Sequence, residues 1–300
     1  MILITGGTGF LGENIVRALA DNHLPLRCLV RQKSYSHQFE LSSVELAYGD
    51  VTDVSSLEKA TQGINTVIHC VGILQEKPPH STHQKIVIEG TKNLVTACVK
   101  NKVKKIIYIS GLGTHEKALS LYHQAKFKAE QCIIKSGLEY VIFRPSVLIG
   151  KKDDFLNQFY TMIRFLPFLP IIGNGTYKMQ PLYVGDLVSC IFQALENKAL
   201  KNEIIELGGP ERFEFKDIMK AFLKASKKRR LFIHIPLSFI QFQIKFLEKL
   251  PKPFLITRDQ LLMLQADNIC DNQKLHKLFH LNLTPLSEGL KEYVWYKDTR

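Results

Sequence analysis

The sequence predicts an α/β protein built on a doubly wound parallel sheet, on three observations. Short apolar runs alternate with helical patterns through the first 150 residues. The first run, Ile2–Thr5, passes straight into glycines at Gly6, Gly9 and Gly12, then into a helical pattern with Ile15, Val16 and Leu19 on one face. Past Gly150 the alternation fades. A regular βα rhythm implies parallel strands wrapped by helices on both faces.

In chain order the strands are expected at Ile2–Thr5, Leu26–Val30, Val44–Ala47, Thr66–Cys70, Lys105–Ser110 and Tyr140–Arg144. The helices between them are expected at Leu11–Ala20, Val54–Ala60, His83–Lys100 and Tyr122–Lys135. Each strand end is a potential site wall, because ligands on such sheets bind at the carboxyl ends of the strands, where the strand order reverses. In the second half Phe155–Phe168 is an apolar stretch interrupted by Pro167 and Pro170, and Ile204–Leu207 reads as a returning strand ended by Gly208-Gly209-Pro210. Asp186 is expected to fix a loop or cap a helix. The resulting organisation is a dinucleotide-binding, Rossmann-type domain over 1–150 with a returning strand near 204–207. A smaller lid or substrate region covers 151–203 and 208–300.

Three hundred residues with 45% hydrophobic content can bury one large core, or a core and a lid. No 18-residue apolar run predicts a spanning helix, and no signal or transit segment is expected ahead of the first strand. The six cysteines are far apart with no CxxC pair, which argues against a disulfide framework or zinc site and for a reducing, cytoplasmic setting. The net charge of +12 divides into +5 over residues 1–150 (17 basic, 12 acidic) and +7 over 151–300 (23 basic, 16 acidic). That excess suits an anionic ligand, an acidic membrane surface or nucleic acid. No nucleic-acid recognition motif accompanies it, and none is expected to bind.

The glycine pattern carries the most chemistry. Gly6 turns the chain off the strand, Gly9 leaves room for a phosphate at the backbone, and Gly12 allows close helix–sheet packing. The helix then points its N-terminal amides at that phosphate. At the end of the second strand, where folds preferring NAD(H) carry an acid for the ribose hydroxyls, the chain reads Val30-Arg31-Gln32-Lys33. A guanidinium there grips a 2′-phosphate, so NADP(H) is expected over NAD(H). After the third strand, Asp50 is placed to accept from an adenine amino group, and Asp53 to cap the next helix. His69 is read as packing, and no metal site is expected.

Tyr122 and Lys126 stand four residues apart on an expected helix and so share a face. An ammonium there is expected to lower the phenol pKa and favour proton exchange with a substrate hydroxyl or carbonyl. The same spacing recurs at Tyr293 and Lys297, where no chemistry is expected. The first pair follows the fifth strand, Ile106–Ser110, after a short polar loop, and so should reach the site.

Taken with TGGTGFLG (Thr5–Gly12), GDVTD (Gly49–Asp53), EGTKNL (Glu89–Leu94), YISG (Tyr108–Gly111), YHQAK (Tyr122–Lys126), FRPSVLIG (Phe143–Gly150), QPLYVGDL (Gln180–Leu187) and ELGGPE (Glu206–Glu211), the chain resembles an extended or atypical short-chain dehydrogenase/reductase over nearly its whole length. RFLPFLPIIGNG (Arg164–Gly175), Gln180–Leu187 and PFLITRDQLLMLQADN (Pro253–Asn268) make it most similar to the group of the NADPH-binding accessory subunit of respiratory complex I and its bacterial relatives. The resemblance implies Tyr122 as general acid/base and Lys126 as the residue that binds the nicotinamide ribose and tunes Tyr122. With the readings above, the expected cofactor-binding set is Gly6, Thr8, Gly9, Phe10, Leu11, Gly12, Arg31, Asp50, Val51 and Lys126.

Two departures matter. Where active extended members carry a third catalytic hydroxyl, this chain has Leu112; Ser110 or Thr114 would have to substitute, and Ser110 is taken as the candidate. The usual Asn ahead of Gly-Thr is missing, with Ile86-Val87-Ile88 in that stretch. Losing one positioned donor costs orders of magnitude in rate, so cofactor binding is better supported than catalysis.

Farther on, Lys227-Lys228-Arg229-Arg230 precedes Leu231–Leu250, an expected apolar helix that suits a membrane interface or a lid packed on the domain or a partner. The leading expectation is an NADP(H)-binding protein linked to quinone or respiratory-chain function. It is either a reductase of a hydrophobic carbonyl or quinone-type substrate, or a structural nucleotide binder, with a respiratory complex or the inner face of the membrane as partner. The alternatives are a nucleotide-sugar epimerase, dehydratase or reductase, and a catalytically silent, NADPH-sensing assembly protein. Turnover of a nucleotide sugar lost in Tyr122→Phe would select the first, and a cellular role that survives Tyr122→Phe the second.

Overall fold

A computed structural model describes residues 1–31, 44–239, 257–264 and 266–293. The chain divides into two compact units. The first comprises Met1–Pro145, Leu187–Glu206 and Gln273–Leu281, and the second Ser146–Asp186, Leu207–Asn272 and Asn282–Arg300.

The first unit opens with β1 (Ile2–Thr5), α1 (Phe10–Asp21), β2 (Leu26–Val30), β3 (Val44–Tyr48), α2 (Val54–Ala60) and β4 (Thr66–His69). It continues through α3 (Gly90–Lys100), β5 (Lys105–Ile109), α4 (Leu121–Ile134) and β6 (Glu139–Pro145). Ile15, Val16 and Leu19 are buried on the inner face of α1, as their spacing predicts. Asp53 caps α2 by accepting from the Ser55 amide, and Ser120 caps α4 by accepting from that of His123. The expected helix over His83–Lys100 is two pieces. Its first seven residues, His83–Glu89, form a π-helix begun by a Thr82 cap, and α3 continues from Gly90.

The second unit contributes β7 (Leu148–Ile149), α5 (Asp154–Phe165), β8 (Phe168–Ile172), β9 (Lys178–Met179) and β10 (Leu182–Tyr183). Helix α6 (Val184–Glu196) leads back to the first unit and β11 (Glu203–Leu207), the expected returning strand. Then follow β12 (Phe213–Glu214), α7 (Phe215–Ala225) and β13 (Leu231–Ile235), with short helices at Arg258–Leu264, Gln273–Leu278 and Leu286–Gly289. Of the stretch Leu231–Leu250, whose expected helix draws its apolar face from residues after Pro236, residues 237–239 are helical and the first five are not. Leu231–Ile235 is a strand paired in parallel with β8, as suits a run of branched and aromatic residues. Residues 240–250 lie outside the described residues.

The central sheet has the order β11-β6-β5-β4-β1-β2-β3, with registered parallel pairing from β3 through β6. The order reverses between β1 and β4, which opens a crevice at their carboxyl ends. The core of this unit includes Leu3, Val67, Ile106, Ile142, Leu94 and Ala129. In the second unit Ile163, Leu169, Ile171, Phe215 and Phe222 form a separate core. Asp186 ties down a loop, accepting from the amide and hydroxyl of Thr284 at 2.8 Å each. Tyr293 accepts from the Gly150 amide at 2.8 Å, a structural role; its spaced partner Lys297 is outside the described residues. Among the described residues no helix is long and apolar enough to cross a membrane, and no group of three or more His, Cys, Asp or Glu could hold a metal.

Candidate functional site

The glycine turn lies at the crevice, and its three glycines have three different reasons. Gly6 has φ +79°, a left-handed conformation, and a Cβ there would lie 3.0 Å from the backbone of Cys70 and Val71. The turn after β1 is therefore pressed against the segment leaving β4. A Cβ on Gly12 would stand 2.1 Å from the Gly6 carbonyl oxygen, so the turn closes only with glycine there. Gly9 needs to be glycine for neither reason. Its backbone is extended (φ −81°, ψ 170°), and a Cβ would meet only the Gly6 oxygen at 3.4 Å. The fold tolerates a side chain at Gly9, whereas a phosphate lying on the N-terminus of α1 does not. The turn thus fits a dinucleotide pyrophosphate, with Thr8, Phe10 and Leu11 lining the same turn.

Arg31 follows β2 directly, at the carboxyl end of the strand, and is exposed; Gln32 and Lys33 are outside the described residues. Asp50 leaves β3 and is half-buried; its Oδ1 accepts from the amide and hydroxyl of Thr52 at 2.8 and 2.7 Å, which fixes the carboxylate and leaves Oδ2 for a further donor. Val51 is buried beside it.

His69 at the end of β4 is a packing residue. It is fully buried between Thr5 Oγ1 (2.6 Å from Nδ1) and Thr91 Oγ1 (3.0 Å from Nε2) and stacks on Tyr108 at 5.4 Å. Thr91 donates its own proton to the Val87 carbonyl, so it accepts from His69 Nε2–H, and Thr5 donates to Nδ1. Burial, with the Lys126 charge adding to it, pushes the imidazole pKa down to about 3 and keeps it neutral.

Lys126 is the best-held group of the site. It is buried, its Nζ donates to the carbonyls of Ile109 (2.8 Å) and Val71 (3.4 Å), and it stands 4.7 Å above the Tyr108 ring. A Cβ at Gly72 would come within 3.1 Å of Nζ, so that glycine makes room for the ammonium. Burial lowers its pKa to about 8, with Cys70 and Glu130 pulling the other way. Tyr122 lies one turn earlier, its ring centre 5.9 Å from Nζ. Its Oη lies over Gly111, 3.5 Å from where a Cβ would stand, just past β5.

The expected lowering of the phenol pKa is not what the structure gives. Burial pushes Tyr122 up to about 12, because desolvation disfavours the phenolate. A phenol held protonated is a proton donor.

Ser110 is buried, its Oγ 3.3 Å from Thr114 Oγ1. Leu112 is also buried, and its amide donates to the Pro145 carbonyl, which extends the β5–β6 pairing past the strand. An apolar side chain therefore occupies the position of the missing hydroxyl. Sequence reasoning missed two histidines at Tyr122: His83 (6.0 Å between ring centres) and His123 (5.2 Å), the latter fixed by Ser120 Oγ at 2.7 Å from Nδ1. The Ser120 cap two residues before Tyr122 was a signal for His123, whereas nothing local marks His83.

A strand-order reversal between β1 and β4, a bare glycine turn beside it, and a buried Lys126 next to a half-buried Tyr122 are the arrangement of a dinucleotide-binding fold. Residues 2–208 match the NAD dependent epimerase/dehydratase family, and the chain belongs to it. It is 26% identical over 298 residues to the mitochondrial NADH dehydrogenase [ubiquinone] 1 alpha subcomplex subunit 9 of Arabidopsis thaliana, covering 94% of this chain and 73% of that protein. It is 23% identical over 303 residues to the ceramide reductase of Caulobacter vibrioides (strain NA1000 / CB15N), covering 98% of this chain and 89% of that one. Among solved structures, UDP-glucuronic acid 4-epimerase from Bacillus cereus, in complex with UDP-glucuronic acid and NAD, matches with a TM-score of 0.78 at 22% identity over 100% of this chain and 99% of that one. That likeness speaks to the fold.

Proposed function

We propose that this protein binds NADP(H) along the carboxyl edge of its sheet and reduces a hydrophobic carbonyl or quinone-type substrate in a role linked to the respiratory chain. The observation that carries the reading is the pair on α4: buried Lys126 anchored on the Ile109 and Val71 carbonyls, with a protonated Tyr122 beside it. The dinucleotide, when bound, supplies the hydride. Gly6, Gly9 and Gly12 admit its pyrophosphate, Asp50 takes the adenine amino group, and Arg31 takes the 2′-phosphate. Lys126 binds the nicotinamide ribose. Tyr122 Oη gives its proton to the carbonyl oxygen of the substrate, for which a phenol raised to about 12 is in the correct form near neutrality. Ser110 or Thr114 would supply a second donor. The respiratory link rests on the similarity to the Arabidopsis subunit, and the hydrophobic substrate on that to the ceramide reductase.

Leu112 favours a second reading, in which the nucleotide is a structural ligand and no turnover occurs. NADPH oxidation against a panel of quinones and long-chain aldehydes separates the two. Turnover by wild type, lost in Tyr122→Phe with NADPH affinity retained, supports the reductase. Equal rates in both proteins would refute it, and NADPH binding with no turnover selects the structural reading.

A further inference from the structure

The second unit carries a solvent-facing feature that nucleotide chemistry does not use. In the parallel pair β8–β13, Phe168 lies beside Leu231 and Pro170 beside Ile233. Side chains alternate faces along a strand, so these four share one face. The opposite face, with Leu169, Ile171 and Phe232, packs into the core of this unit. Farther along the outer face, Ile172 and Ile235 are covered by Leu261 and Leu264 of the helix Arg258–Leu264. The beginning of the face is open: Leu231 is 78% exposed and Ile233 45%. Phe165, at the end of α5, is 77% exposed. Arg230 holds it close by, donating to the Ile163 carbonyl at 2.6 and 3.1 Å.

Charge gathers at the same end. Lys227, Lys228 and Arg229 lead directly into β13 and are exposed, as is Arg164, whose guanidinium stands 5.7 Å from the Phe165 ring centre. No Asp or Glu occurs in residues 155–185 or 218–247, the two stretches that contain this surface. Large apolar side chains exposed together call for an occupant. A rim of cations on stretches that carry no Asp or Glu favours an anionic one, and the combination suits the headgroup boundary of a bilayer.

We infer that Phe165, Phe168, Pro170, Leu231 and Ile233, flanked by Lys227, Lys228 and Arg229, form a docking surface for an anionic phospholipid bilayer. The apolar side chains enter the interface while the cations pair with lipid phosphates. This is peripheral attachment through a folded strand pair, and it holds whether or not the nucleotide site turns over.

Vesicle flotation tests it, using the full chain with phosphatidylcholine vesicles that contain or lack phosphatidylglycerol. Wild type is expected to float with the anionic vesicles at low salt and to remain in solution with phosphatidylcholine alone. Leu231→Ser/Ile233→Ser and Lys227→Glu/Lys228→Glu/Arg229→Glu are each expected to lower the bound fraction by about tenfold or more. All these positions are at the surface, so both variants should melt like wild type and bind NADPH as it does. Failure of wild type to float overturns the inference. So does loss of flotation only in the charge variant, which would mean adsorption without insertion. Concentration-dependent dimers abolished by the serine pair would assign the face to a second copy of the chain and overturn it as well.

Discussion

Lys126→Met separates what the buried ammonium costs the fold from what it contributes to the site. Burial takes the Lys126 pKa from 10.5 down to about 8, so the folded protein holds that proton less tightly than the unfolded chain does. Between those values the unfolded chain binds more protons, and stability rises with pH. The shift corresponds to a penalty of about 3 kcal/mol near pH 7 that falls to about 1 kcal/mol near pH 9.5. The hydrogen bonds to the Ile109 and Val71 carbonyls return roughly 1 kcal/mol each. Lys126→Met is therefore expected to be as stable as wild type or more so near neutrality, and to lose about 2 kcal/mol of relative stability by about pH 9.5. Urea unfolding of both proteins at the two pH values measures this, with the slope on urea unchanged between them. A stability difference that stays flat, or that moves toward the variant as pH rises, would refute the reasoning. If Lys126 binds the nicotinamide ribose as proposed, NADPH affinity of the variant should fall at every pH.

The glycines of the turn should divide in the same way. Gly12→Ala places a Cβ 2.1 Å from the Gly6 oxygen and is expected to cost roughly 3 kcal/mol or more in urea unfolding. Gly9→Ala should leave the midpoint nearly unchanged while weakening NADPH binding by about tenfold or more, about 1.4 kcal/mol. Equal destabilisation by both would refute the assignment of Gly9 to ligand approach. Arg31→Ala is expected to remove the preference for NADPH over NADH while leaving NADH affinity alone; an unchanged preference in competition titrations would place the 2′-phosphate elsewhere.

The first 150 residues were legible because most strands are short apolar runs bounded by turn residues, and α2 and α4 carry their caps in the sequence. Asp53 and Ser120 both cap where a short polar side chain precedes a helical run. The Tyr122–Lys126 spacing was legible for the same kind of reason. What Lys126 rests on was not, since bonds to the Ile109 and Val71 carbonyls leave no side-chain pattern to read. The direction of the Tyr122 shift was not legible because spacing shows a neighbouring ammonium but not the desolvation of the phenol. The strand Leu231–Ile235 at the head of the Leu231–Leu250 stretch was not legible, because its pairing with β8 is a long-range property.

Calorimetric titration of the nucleotide-stripped protein with NADPH and, separately, NADH tests the central claim most directly. Micromolar or tighter binding of NADPH, with at least about tenfold discrimination against NADH, or about 1.4 kcal/mol, is the predicted result. Heat of binding from neither nucleotide, or equal affinity for both, would contradict it.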